Sequence, residues 1–364
     1  MKIIILSGKF GMGHFSAAQT LADNISRSGL DVQVELADLY QIALPHANSL
    51  LYGSYAQLMS GGGRLINIAY KNAVHDDKGL PRMLTIPQSF LLFKLSAYLE
   101  QRQPDVIIST YSLASRIVAC YKRMSGSRAA LVTCITDIGI HNVWLNRDTE
   151  LYLAGAEQTR RDLLAAGVPA ARIAVSGIPV AAGFAPAMER GERPFELLVS
   201  GGGLGLLPAD KQLWQALSRV AGLHISVVCG NNQRLRRQLQ HLRLDNVSAL
   251  GYRRDMAQLM RGADMMLCKP GGLSSFEAIH SALPLLMFRP FLEQEIKNCR
   301  FILDSGMGEL LADDNAAAAQ QLTGLIGDRA RLDGYRRNMR AFSAGLDSEA
   351  LLRWLSAYQG GAAA

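Results

Sequence analysis

"LCKPGGLSSFEAIHSALPLLMF", Leu267 to Phe288, is an apolar run that stops on Lys-Pro-Gly-Gly and resumes with helical spacing around a single acid, Glu277. A strand ending on two glycines and passing into a helix is the repeating unit of an open α/β sheet. The glycines let backbone come close to a ligand, and the first helical turn offers free N–H groups to an anion. Ser274 and Ser275 are placed to cap that helix and to add hydroxyls to a pyrophosphate. Glu277 has two acceptor oxygens and no donor, which suits the 2′,3′-diol of a ribose. The plainer reading of Glu277 is an acid answering the helix dipole. Its company argues for a ligand: "FRPFLEQEIKNCRF" follows, with Gln294 and Glu295 on a further strand-end loop suited to sugar hydroxyls.

The same alternation runs through the chain. "KIIILS", "DVQVELADL", "PDVIIST", "AALVTCITD", "ELYLAG" and "RIAVSGIPV" read as strands of a first half. Short apolar runs with polar ends are what strands buried on both faces look like. After Val180, "AAGFAPAMERGERP" (181–194) reads as a linker. The pattern then restarts with "FELLVSGGGLG" and continues through "HISVVCGNN", "VSALGY", "ADMMLCKPGG" and "LPLLMF". The fold class is therefore α/β, with Rossmann-like domains at 1–180 and 195–340 facing a cleft. A C-terminal helix (341–358) packs back on the body, and 359–364 form a disordered tail. In such sheets ligands bind beyond the carboxyl ends of the strands.

A length of 364 residues suits two domains of ordinary size. The N-terminus lacks the long apolar region of a signal peptide, and no apolar run approaches the roughly 20 residues of a spanning helix. The five cysteines lack metal-ligand spacing and read as reduced thiols, so the expected location is cytoplasmic. Between Arg64 and Arg128 there are ten Lys/Arg against four Asp/Glu, within a net charge of +7. Such a surface attracts nucleic acid, anionic lipid or an anionic substrate, or is a solvated face with a chance excess. Nucleic acid is disfavoured, because the basic stretch lacks interleaved aromatics on a platform.

In "SGKFGMGHFSA", Gly11 and Gly13 let the chain turn tightly before a helix. With Glu35 about 20 residues on, the loop approaches a dinucleotide fingerprint, but Ser16 fills the third glycine position and that reading leaves His14 idle. A histidine in a first helical turn has its proton affinity lowered by the dipole and can serve as a base; a capping or packing histidine is the alternative. In "TCITDIGIHNVW", Asp137 ends a strand and His141 and Trp144 follow on the loop. Asp137 can be a general base, can stabilise a neighbouring basic group, or can cap the next segment. In the second half, Gly201 and Gly202 of "SGGGLG" and Gly230 and Asn231 after "ISVVC" would bring backbone amides to a phosphate. No Gly-Lys-Ser/Thr follows, so this is not a P-loop.

Together these stretches resemble the glycosyltransferase family 28 group that holds monogalactosyldiacylglycerol synthases, processive diacylglycerol glucosyltransferases and, more distantly, MurG. "CKPGGLSSFEAIHSALPLLMFRPFLEQEIKN" is similar to their nucleotide-sugar signature, "SGKFGMGHFSAA" to their Gly-rich loop ending in Gly-His, and "ITDIGIHNVW" and "VSGIPV" to later segments. The resemblance runs from Ile3 to about Phe301 and implies the GT-B fold. It implies that Gly271, Gly272, Leu273 and Ser274 face the pyrophosphate of a UDP-sugar, Glu277 the ribose, and Gln294 with Glu295 the donor sugar. "LGYRRDMAQLM", with Tyr252 and Arg253, fits the base-binding loop, and Arg253 and Arg254 could favour an anionic sugar or acceptor. His14 falls at the reaction centre with Asp137 as its acidic partner, and Gly11, Gly13, His141 and Trp144 fall on the acceptor side. The group inverts configuration; no metal or further cofactor is demanded. One departure is the bulk of Lys9-Phe10-Gly11-Met12, where relatives are richer in glycine.

The acceptor implied is a lipid such as diacylglycerol. The amphipathic basic stretch Gly61 to Asp105 would lie on an anionic membrane surface, with the protein peripheral on its inner face. A helix pair packed into the first domain explains that stretch equally. Transfer to a soluble or polysaccharide-precursor acceptor, and a UDP-sugar-binding regulatory protein without turnover, are the alternatives. The oligomeric state is not legible.

Overall fold

The computed structural model describes residues 1–10, 12–60, 86–186, 193–290 and 292–361. Most of the basic stretch from Gly61, part of the 181–194 segment, Gly11 and the last three alanines lie outside them. The chain divides into two compact units. One takes residues up to Ala181, apart from Met59–Gly62, and returns from Leu346; the other takes Ala182–Gly345.

In the first unit the strands are β1 (Lys2–Ser7), β2 (Gln33–Asp38), β3 (Val106–Ser109), β4 (Ala130–Cys134), β5 (Thr149–Ala154) and β6 (Ile173–Val175). They are joined by helices α1 (Gly13–Arg27), α2 (Leu39–Ala43), α3 (Asn48–Ser60), α4 (Gln88–Arg102), α5 (Ser112–Ser125) and α6 (Glu157–Ala165). The second unit holds β7 (Phe195–Ser200), β8 (Leu223–Val228), β9 (Val247–Leu250), β10 (Met265–Cys268), β11 (Leu285–Met287) and β12 (Gly308–Leu310). Its helices are α7 (Lys211–Ser218), α8 (Gln233–Leu242), α9 (Met256–Gly262), α10 (Gly272–His280), α11 (Glu293–Asp304), α12 (Asn315–Gly327) and α13 (Arg329–Ala344). After a break at 345–349 the final helix, α14 (Ala350–Gln359), belongs to the first unit.

Each unit has one six-stranded sheet, ordered β2-β1-β3-β4-β5-β6 and β12-β11-β10-β7-β8-β9, and the strand pairings are parallel. Both are the doubly wound sheets that the strand pattern implied. The short apolar runs are explained by burial on both faces. Ile4 and Leu6 of β1 pack with Leu91, Leu95 and Leu99 of α4. Ile3 and Ile5 point the other way, to Leu21 and Ile25 of α1 and Leu351 and Leu355 of α14. In the second unit Leu197, Val199, Ile225 and Val227 pack under Trp214 of α7 and Leu322 of α12.

Strand order fixes where ligands go. The winding reverses between β1 and β3 in one sheet and between β7 and β10 in the other. At such a switch point the loops leave in opposite directions and open a crevice at the strand ends. The loops there are the Gly8–Met12 turn with Thr110 in the first unit, and Gly201–Gly205 with Lys269–Gly271 in the second. Among the described residues no helix is long and apolar enough to cross a membrane.

Candidate functional site

In the first unit the turn after β1 leads straight into α1. Glycine was the expected turning residue; Gly11 lies outside the described residues, and Gly13 opens the helix without a left-handed backbone. Met12 takes that role, with φ +65°, a conformation that costs a side-chain-bearing residue roughly 1–2 kcal/mol. No side chain caps α1, so its first N–H groups stay open.

The ring of His14 is oriented from one side. Its Nδ1 lies 3.1 Å from the Thr110 carbonyl and 2.6 Å from Thr136 Oγ1. A carbonyl only accepts, so Nδ1 carries the proton and Nε2 keeps its lone pair, the tautomer a general base needs. Thr110 Oγ1 in turn donates to the His14 carbonyl at 2.9 Å. Burial pushes the imidazole pKa below its ordinary value, outweighing the opposing pull of Asp137 and of the Thr110 carbonyl. The position in a first helical turn predicts such a depression from the dipole; burial is the leading cause in the structure. Asp137, half-buried, acts on His14 through charge, while the two threonines make the contacts that orient the ring. Both threonines were missed; each is a hydroxyl at a strand end beside the switch point.

The aromatic surroundings differ from expectation in one place. Trp144 is fully buried with Ile135, Tyr152 and Leu163, so it is a floor of the site and not an exposed acceptor contact. Its ring centroid is 6.5 Å from His14 and 5.9 Å from His141, and its buried indole N–H has no hydrogen-bond partner among the described residues. The half-buried His141 stays on the loop, and Tyr111 approaches His14 to 5.3 Å.

In the second unit most of the expected phosphate glycines have a structural reason to be glycine. A methyl group on Gly205 would sit 1.8 Å from the Cys229 carbonyl, and one on Gly230 2.5 Å from the Gly203 carbonyl. The two strand-end loops are packed backbone to backbone, and the Asn231 amide donates to Gly203 at 3.0 Å. Gly201 is equally closed, with Leu206 N at 2.5 Å; Gly202 alone is open, meeting only Lys269 Cε at 3.9 Å. Gly205→Ala is therefore expected to destabilise this unit by about 2–4 kcal/mol, lowering its melting temperature by several degrees in calorimetry. A variant as stable as the wild type would contradict this packing.

Helix α10 begins at Gly272 with Gly271 at its cap position and no side-chain cap. Ser274 and Ser275 do not cap it, because it starts before them and both lie inside its first turn; Ser275 Oγ is buried without a partner. No side chain caps the first amides of α10, among them that of Leu273, and the space beside Gly271 Cα is open. Glu277 is half-buried, no hydrogen bond or ion pair reaches its carboxylate among the described residues, and burial raises its pKa to about 8.

Gln294 and Glu295 lie in the first turn of α11 and not on a loop. Acids there suit the helix dipole, which was the signal available in "EQE". Glu295 is 4% exposed and held by Lys269 Nζ at 2.9 Å, so it is not free for a sugar. The buried Gln294 Oε1 has no hydrogen-bond partner among the described residues. Tyr252 is 51% exposed. Arg253 is engaged by Asp255, with Nε to Oδ1 at 2.8 Å, which removes the free positive charge expected of it. Among the described residues no cluster of three His, Cys, Asp or Glu side chains could hold a metal.

Two family models match in tandem. Residues 14–180 match the monogalactosyldiacylglycerol synthase family, and residues 197–331 the glycosyltransferase family 28 C-terminal domain. A processive diacylglycerol beta-glucosyltransferase of Bacillus subtilis (strain 168) is 25% identical over 368 residues, covering 96% of this chain and 94% of its own. MurG of Acinetobacter baumannii superposes with a TM-score of 0.65 at 16% identity, over 99% of both chains. MnaA of S. aureus, solved with UDP, also gives 0.65, at 12% identity over 99% of this chain and 97% of its own. These two likenesses show the GT-B type of fold.

Proposed function

Because the chain belongs to the glycosyltransferases that join a monogalactosyldiacylglycerol synthase domain to a family 28 C-terminal domain, we propose that it moves a hexose from a UDP-sugar to the hydroxyl of a lipid such as diacylglycerol, inverting the anomeric carbon. The observation that carries the donor assignment is the uncapped start of α10 with the unpartnered Glu277 carboxylate one turn further on. The open amides suit a pyrophosphate, and the carboxylate suits the ribose diol that would satisfy it. The buried Gln294 Oε1 is then an acceptor for a sugar hydroxyl. On the acceptor side, Nε2 of His14 takes the proton of the attacking hydroxyl, and the Asp137 charge steadies the imidazolium that forms. The open amides of α10 stabilise the charge that develops on the departing UDP.

The lipid acceptor is supported by the diacylglycerol glucosyltransferase relatives. Peripheral association with a membrane is supported by exposed apolar side chains: Phe93 at 68%, Leu50 at 74% and Phe90 at 37%, with Lys94 over the Phe90 ring at 5.7 Å. Aromatic and basic side chains together suit an anionic interface. Phe93→Asp should cut co-sedimentation with phosphatidylglycerol vesicles by about tenfold or more, from lost apolar burial plus added repulsion. Unchanged sedimentation would remove this face from the reading.

The test of the whole proposal is UDP release from a panel of UDP-hexoses, with and without diacylglycerol in anionic vesicles. Lipid-dependent release supports it and names the sugar. Release without lipid moves the acceptor into solution, and UDP binding without release points to a regulatory protein.

A further inference from the structure

Lys269 stands in "CKPGG" between β10 and α10, and the structure surrounds it with donor-site elements. Ser200 pairs with Cys268 in the register of β7 and β10, so the loops leaving those strands start side by side. Lys269 follows directly, and its Cε lies 3.9 Å from where a Gly202 side chain would begin. Its backbone is fixed from both sides: the Gly271 amide donates to the Lys269 carbonyl at 2.8 Å, and Asn298 Nδ2 donates to the Pro270 carbonyl at 3.1 Å. The side chain is one-third exposed, whereas Glu295, which accepts from Nζ at 2.9 Å, is almost fully buried.

Burying a carboxylate is costly, and a pair with lysine offsets that cost only in part. A buried acid is therefore a poor device for stability and a good one for holding an ammonium in one position. An ammonium has three N–H donors. Glu295 uses one of them, leaving two for a ligand at the open start of α10.

We propose that Lys269 is the cation that binds the diphosphate of the donor and stabilises the negative charge gathering on UDP as the glycosidic bond breaks, and that Glu295 is the positioning residue that aims it. In that step the acceptor oxygen bonds to the anomeric carbon, the bond from that carbon to the β-phosphate oxygen breaks, and its electron pair leaves on UDP. Lys269 transfers no proton; it supplies charge where charge develops. This inference rests on the donor-site reading of the second unit.

The experiment compares uridine, UMP and UDP by calorimetric titration, with transfer kinetics, for wild type, Lys269→Gln, Lys269→Arg and Glu295→Gln. Lys269→Gln should bind uridine like the wild type, which also reports that the site is folded, and UDP about tenfold to a hundredfold more weakly. Its kcat should fall by about a hundredfold, and Lys269→Arg should recover part of both. Glu295→Gln should keep UDP affinity within a few-fold and lose about tenfold in kcat, a split that a merely structural acid would not produce. Wild type that fails to bind UDP overturns the donor reading itself. UDP binding by wild type with uridine and UDP weakened equally in Lys269→Gln, or neither weakened, overturns the role of Lys269 alone. Should Lys269→Gln fail to fold, Lys269→Arg carries the test, since a displaced guanidinium must change UDP and not uridine binding.

Discussion

His14→Ala should lower the rate of transfer by about 10²–10⁴-fold while leaving UDP affinity within about twofold. The two effects separate because the imidazole lies in the first unit and the proposed uridine contacts lie in the second. The pH profile of the wild type carries a second expectation. A base acts in its neutral form, and burial holds the His14 pKa below the ordinary 6.5. At saturating donor, where Glu277 titration no longer limits binding, the rate should therefore be flat through neutrality and fall on acidification, with a midpoint below that of a free imidazole. Asp137 opposes that depression, so Asp137→Asn should move the acid limb further down and reduce kcat, because the imidazolium formed during transfer loses its countercharge. Thr136→Val removes one of the two contacts that orient the ring, and a loss of about tenfold with an unmoved acid limb would mark it as a positioning residue. A His14→Ala enzyme with wild-type turnover would end the base assignment. One that had lost UDP binding would move His14 to the donor.

What the sequence shows of this machinery follows the distance over which each feature is determined. Strands such as "KIIILS" and "MMLC" are legible because a parallel strand buried on both faces is apolar throughout. The exception is β12, where "GEL" is a three-residue edge strand whose partner, β11, does more to define it than its own residues. His14 and Glu277 are legible because each stands beside glycines at a strand-to-helix turn. Thr110 and Thr136 are not, since they meet His14 across 96 and 122 residues, and only the strand order β1-β3-β4 brings them there. The errors at Met12 and Glu295 share a cause. The glycines of the first loop and the strand end before Gln294 predict turn and loop there, yet Met12 itself takes the left-handed backbone, and α11 starts within three residues of Pro290. Trp144 differs again: a tryptophan on a strand-end loop looks available, and only packing against Ile135 and Leu163 shows it to be core.

Glu277→Gln should separate stability from binding in opposite directions. The Glu277 carboxyl has a pKa raised from 4.5 to about 8, through burial without a partner. The folded state thus binds its proton more tightly than the unfolded state, and between those two values stability falls as pH rises. Above pH 8 the full cost is present, a few kcal/mol at about 1.4 per unit. Glutamine keeps the shape and removes the titration, so the variant should melt several degrees higher than wild type at pH 9 and differ little at pH 4.5, near the unfolded value. Ligand binding should respond the other way. Two ribose hydroxyls donating to a carboxylate favour its charged form, so wild-type uridine and UDP should release a proton on binding near pH 7 and bind more tightly as pH rises toward 8. Without the charge those two hydrogen bonds weaken, and both ligands should lose about a hundredfold in affinity. That equal loss distinguishes Glu277 from Lys269, whose removal spares uridine. Calorimetry in two buffers of different ionisation enthalpy reads the proton directly. Proton release absent in wild type, or a Glu277→Gln protein that binds uridine unchanged, would take the ribose away from this carboxylate. A melting temperature insensitive to the substitution at pH 9 would deny that its burial is costly at all.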